Sequence, residues 1–167
     1  MLDSLKKLEN SAEFNQWKAN HQDYYLSSCF TILNDDKPAW QFHYYSKKAD
    51  AIVTFEVKTK ITIEPASKVF KKKDAIVEPL EIAKVKIEAG QALKKVTSLK
   101  SYKACSFTQK MLLLQQINQP IWNLSLITST YQILNIKLSA VSGEVLSESF
   151  ESLLSLRDPD AFQSQNQ

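Results

Sequence analysis

Apolar residues recur at intervals of three and four along Leu2, Leu5, Leu8 and Ala12, the spacing that aligns them on one face of a helix. Asn10 or Ser11 stands where a cap would open a further turn carrying Phe14 and Trp17. From Tyr25 to Leu33 the chain is rich in aromatic and β-branched residues and predicts a strand with Leu26, Phe30 and Ile32 on one side. Turn residues Asn34 to Pro38 follow, so a hairpin is expected. Trp40, Phe42 and Tyr44 then alternate with Gln41, His43 and Tyr45, and after Ser46 to Asp50 the one-sided series Val53, Phe55, Val57 continues to Ile61 and Ile63.

The second half repeats this order. Lys86 to Tyr102 predicts a helix with Ala89, Ala92, Leu93, Val96 and Leu99 inward and lysines outward. Phe107 to Gln115, Trp122 to Ile127 and Tyr131 to Ala140 predict strands, Gly143 suits a turn with positive φ, and Phe150 to Leu156 reads as a short closing helix. Shifted by 82 residues, Pro38-Ala39-Trp40-Gln41-Phe42 falls on Pro120-Ile121-Trp122-Asn123-Leu124, with Phe30 on Leu112 and Ile32 on Leu114. Shifted by 81, Ile52 to Val57 falls on Ile133 to Leu138, apolar on apolar and polar on polar. The expectation is an α+β chain of two tandem units, each a helix packed on an antiparallel sheet of three to four strands. The units span 1–64 and 83–156, with a connector at 65–82, where Ile76-Val77 adds an edge strand, and a disordered tail at 157–167.

Composition narrows the chemistry. Gly90 and Gly143 are the only glycines, which excludes a glycine-rich phosphate loop, and Cys29 and Cys105 are too few for a disulfide framework and read as free thiols. The start of the chain has no export-signal pattern and no apolar run is long enough to span a bilayer, so the expected location is cytoplasmic, with no membrane partner. The net charge of +3 is concentrated between Lys84 and Lys110, where seven lysines face one acid, Glu88. Arg157 is the only arginine, which argues against nucleic acid and for a solvated lysine face.

The runs Ile87-Glu88-Ala89-Gly90-Gln91-Ala92-Leu93, Pro120-Ile121-Trp122-Asn123-Leu124 and Ile136 to Leu146, with its Ser142-Gly143-Glu144-Val145 turn, resemble the PepSY domain. That family is similar in its "E-A-L" helix, its "P-x-W" strand and its strand ending in "T-G-E-V"; here Ser139 and Ser142 replace the family's aspartate and threonine. The resemblance covers residues 84–150, with the first half a divergent copy. It implies a cystatin-like helix-on-sheet module associated with peptidase regulation, which binds or restrains other proteins without catalysis.

No nucleophile, base and orienting group share a motif, so no catalytic residue, cofactor or metal is expected. Trp40 and Trp122 read as core, with the indole N–H finding a carbonyl; His43 reads as a solvated surface group, and Asp35-Asp36 and Lys71-Lys72-Lys73 as solvated loops. A sheet covered by helices on one side needs a partner on the other. The two units are expected to pack face to face there. His43, Tyr45, Ile127 and Ile133 are the candidate partner-binding residues, and an open strand edge could capture an extended peptide. The expected function is thus a non-enzymatic protein- or peptide-binding module. Its rivals are a small-ligand carrier or enzyme of cystatin-like or nuclear-transport-factor-like fold, and a weak lysine-driven nucleic-acid binder.

Overall fold

The computed structural model describes residues 1–33, 38–68 and 76–153. The turn at 34–37 with Asp35 and Asp36, the lysine run of the connector, and the tail with Arg157 lie outside the described residues, as does the stretch Leu154 to Leu156 of the expected closing helix.

The N-terminal helical stretch is two helices, α1 (Leu2–Glu9) and α2 (Ala12–Asn20). Ser11 separates them: its hydroxyl donates to the Leu8 carbonyl at 2.7 Å, ending α1, and accepts the Phe14 amide at 3.2 Å, capping α2. Asp3 in the first turn and Lys6 and Lys7 in the last turn complement the dipole of α1. The third helix, α3 (Ala89–Thr97), is shorter than the periodicity suggests. A capping box opens it, with the Glu88 amide donating to Gln91 Oε1 at 2.8 Å. Just before it, the Lys86 and Ile87 amides are held by the Ala140 carbonyl at 2.9 Å, and after it the chain runs on in turns.

The strands are β1 (Tyr25–Leu33), β2 (Trp40–Ser46), β3 (Ala51–Val57), β4 (Ile61–Ile63), β5 (Ser67–Lys68), β6 (Phe107–Ile117), β7 (Gln119–Thr128), β8 (Gln132–Ser139) and β9 (Val145–Ser152). They form one antiparallel sheet in the order β4-β3-β2-β1-β6-β7-β8-β9, with β5 also paired to β3. The strands of the two halves therefore meet edge to edge at β1 and β6, and do not pack face to face as expected.

The three α-helices of the described residues cover one face. Leu5, Leu8, Phe14, Ala89, Ala92 and Val96 join a single buried cluster with Cys29, Phe42, Phe55, Leu112, Leu114, Trp122, Leu124 and Ile136. Burying each large apolar side chain contributes about 1.5–3 kcal/mol, so this one layer carries the stability of both halves. Trp40 lies opposite Val57 and Phe42 opposite Phe55, and in the other half Trp122 lies opposite Leu138 and Leu124 opposite Ile136.

Four local expectations are corrected. Phe30 and Ile32 are not on the buried side with Leu26. The register shifts between Leu26 and Ser28, and a single extra residue in a strand reverses every side chain beyond it. Ser27, Cys29 and Thr31 are buried instead, Cys29 lying opposite Leu114 and Thr31 opposite Leu112. The segment from Phe150 is the second half of β9, because β8 offers it a ladder that a lone helical turn lacks. Ile61 and Ile63 do not prolong β3; the chain reverses at Lys58 to Lys60 and pairs back on β3. Ile76 is 82% exposed and outside any strand, the edge role falling to Ser67 and Lys68.

Candidate functional site

Among the described residues no α-helix covers the opposite, open face, and the ladder registers define it. One row crosses the whole sheet: Thr62, Glu56, Gln41, Phe30, Leu113, Asn123, Lys137 and Ser147, each directly opposite the next. Its centre is apolar, and Ile32 opposite Met111 extends that centre one rung along the strands. Phe30, Met111 and Leu113 are half-buried and Ile32 is exposed, and none of them belongs to the core cluster or packs against it. Amides flank the centre: Gln41, Gln115, Asn123 and Asn135, the last accepting from Ser125 Oγ at 2.7 Å. A shallow depression of about 280 Å³ over Asn123, Asn135, Lys137, Ser147 and Ser149 continues the polar side.

The four residues expected to contact a partner all derive from strands with side chains on this face, but they do not form one patch. His43 and Tyr45 lie on β2 towards one end of the sheet. Ile127 and Ile133 face each other across β7 and β8 towards the opposite end, and β1 and β6 intervene. Tyr45 is 2% exposed, its hydroxyl donating to Asp50 Oδ1 at 2.6 Å and its ring edge-on to Tyr25, whose own hydroxyl donates to the Val77 carbonyl at 2.7 Å, so the face is covered at this end. His43 is not solvated as expected. Its Nδ1 lies 2.8 Å from Ser28 Oγ, and burial pushes its pKa below the ordinary value.

The residues that sequence reasoning missed are Phe30, Ile32, Met111 and Leu113. For β6 a signal existed: Met111-Leu112-Leu113-Leu114 is apolar at consecutive positions, which in a strand makes both faces apolar. For β1 the signal was hidden by the bulge at Ser27, whose hydroxyl reaches the His43 carbonyl at 3.0 Å.

On the helix side a cleft of about 620 Å³ opens between the start of α1 and the ends of β2 and β3, lined by Asp3, Ser4, Lys7, Pro38, Trp40 and Lys58. Lys7 Nζ is already engaged there, donating to the carbonyls of Lys58 and Thr59 at 2.9 and 3.2 Å. Cys29 is fully buried and desolvation pushes its thiol pKa far up, which suits packing and not nucleophilic attack. Among the described residues no group of three His, Cys, Asp or Glu side chains is placed to hold a metal ion, and no helix is long and apolar enough to cross a membrane.

No protein-family model matches the chain, and no curated protein matches it. Among solved structures the fold is similar to that of a candidate lipoprotein from Clostridium difficile 630, with a TM-score of 0.57 at 12% sequence identity over 83% of this chain and 90% of that one. At that identity the likeness concerns the fold alone. Together the comparison and the geometry define an α+β protein with one broad antiparallel sheet and, among the described residues, α-helices on one side of it.

Proposed function

We propose that the chain is a non-enzymatic protein-binding module made of two tandem helix-on-sheet units, similar to PepSY domains, and that its working surface is the open sheet face. The observation that carries this reading is the apolar centre of Phe30, Ile32, Met111 and Leu113, half-buried or exposed yet apart from the core, ringed by amides and hydroxyls. An apolar core within a polar rim is the anatomy of a protein interface. The matching cross-strand pairs around Trp40 and Trp122 support the duplication, and the Ile87 to Leu93 and Pro120 to Leu124 runs support the PepSY likeness and a role in restraining another protein such as a peptidase.

The face is favoured over the sheet edges as the contact surface. The outer strand β9 carries Glu148 and Glu151 and a register shift beside Leu138, devices that blunt an edge against strand addition. The test is binding of the purified chain to proteins of its native cell with and without Leu113→Asp. A carboxylate placed at the centre of the contact cannot be desolvated cheaply, so the variant is expected to lose at least about tenfold in affinity while keeping its circular dichroism. Equal binding by both proteins, or association of neither with a cell protein or with itself, overturns the reading.

A further inference from the structure

The row across the open face reads as a palindrome of chemical types about its midpoint, the boundary between β1 and β6. Phe30 is matched by Leu113, Gln41 by Asn123, Glu56 by Lys137 and Thr62 by Ser147: apolar with apolar, amide with amide, acid with base, hydroxyl with hydroxyl. Only one of these four matches joins opposite charges, and that asymmetry selects a symmetry operation.

We infer that the partner of this face is a second copy of the chain, stacked face to face about a two-fold axis parallel to the strands and lying between β1 and β6. The inference rests on the protein-binding reading above and names its partner. Such an axis exchanges left and right along the row. Phe30 of one copy then lies over Leu113 of the other, Gln41 over Asn123, and Glu56 over Lys137, with every contact occurring twice, as a self-complementary interface requires. The one-rung neighbours follow suit, Ile32 over Met111. An axis running across the strands instead stacks Glu56 on Glu56 and Lys137 on Lys137, which like-charge repulsion disfavours.

Dimensions agree. The eight strands of the main ladder are about 4.8 Å apart and the open rows extend about 20 Å along them, a footprint of the order of 700 Å² per copy, close to the ~800 Å² of a standard interface. Sheets stack about 10 Å apart, within the combined reach of a lysine and a glutamate side chain. Glu56 is held at 3.0 Å by Lys58 of its own chain, but Lys58 is largely exposed, so that pair is weak, and the second carboxylate oxygen remains for Lys137 of the other copy. Lys137 is exposed and aimed from the same face.

Sedimentation of the full chain over a concentration series tests this. The expected species at high concentration is twice the 19.1 kDa chain. Glu56→Lys alone and Lys137→Glu alone each convert two attractions into two repulsions and are expected to weaken the dimer about tenfold, whereas the double exchange restores the wild-type constant. Leu113→Asp is expected to leave only monomer, with circular dichroism confirming that each variant is folded. A wild-type chain that stays monomeric, a double exchange no better than either single one, or a dimer indifferent to Leu113→Asp overturns the inference. A monomer whose capture of other proteins is lost in Leu113→Asp shows that the face serves a foreign partner, which sinks self-pairing and leaves the module reading standing. A monomer whose capture is unaffected sinks both.

Discussion

The rings of Trp40 and Trp122 lie 6.4 Å apart, centroid to centroid, and are inclined at 60°, although they come from opposite halves of the chain. Both are buried under the helix layer on either side of the β1–β6 seam. The pair therefore sits where the two strand sets are joined, and Trp122 also ties the sheet to the segment before α3, its Nε1 donating to the Ile87 carbonyl at 2.8 Å. Trp122→Phe keeps most of the apolar contact but leaves that carbonyl without its donor. A loss of about 1–3 kcal/mol is expected in denaturant titration, with one cooperative transition retained, because the halves share a single core. A variant that unfolds in two separated steps contradicts the shared core.

Between the two halves the legibility of the sequence differed for a definable reason. Where the core face alternates without interruption, as in Trp40, Phe42, Tyr44 and again Val53, Phe55, Val57, period and burial agree and the strands are read correctly. In β1 the alternation is broken by Ser27, and nothing local marks the break: it exists because of how β1 pairs with β2. The same dependence hid β9, whose serines and glutamates carry little strand preference and which is a strand because β8 lies beside it. The candidate site suffered most. Phe30 and Leu113 meet only because β1 and β6 pair, and a pairing between distant segments leaves no mark within either one.

Ser11 offers a sharper local test. It both ends α1 and starts α2, so Ser11→Ala removes a donor and an acceptor at one position. The expected cost is about 1 kcal/mol, visible as a lower thermal midpoint. Phe14 lies one turn beyond the cap with its ring 5.1 Å from Tyr44 and 5.3 Å from Phe55, so loosening α2 is expected to alter the near-ultraviolet spectrum of this aromatic group as well. An unchanged midpoint counts against the cap.

Burial lowers the pKa of His43 below its ordinary 6.5, which makes stability depend on pH in a fixed direction. The folded chain takes up the proton less readily than the unfolded one. The stabilisation is therefore complete above the unfolded value and is lost as pH falls through the lower folded value. Denaturant midpoints measured from neutral pH down to roughly pH 5 are expected to fall more steeply for the wild type than for His43→Gln, which removes the titrating ring. Parallel curves for the two proteins contradict this assignment.

The thiols are expected to separate by reactivity. Cys105 is partly exposed, whereas Cys29 is sealed between Phe42 and Leu114 on the core face and its thiol pKa is raised by desolvation. Thiolate is the reacting species, so alkylation of the native chain is expected to label Cys105 first, and Cys29 only on unfolding. Mass spectrometry of peptides from a time course reads this directly, and early labelling of Cys29 shows that the sheet seam opens.

The two glycines predict opposite outcomes for the same substitution. Gly143 adopts φ +75° in the turn between β8 and β9, and an added Cβ comes within 3.2 Å of Lys95 Nζ and 3.5 Å of the Ile87 side chain. Gly143→Ala thus meets backbone strain of about 1–2 kcal/mol and presses on the chain leading into α3. Gly90 lies in the first turn of α3, and an added Cβ there touches nothing within 4 Å. Gly90→Ala removes only the freedom of the unfolded chain and is expected to raise stability by about 0.4–1 kcal/mol. The double variant should sit near the sum of the two. The Cβ added at Gly143 also meets Ile87, three residues before Gly90, so a deviation beyond about 0.5 kcal/mol reads coupling between the turn and the start of α3.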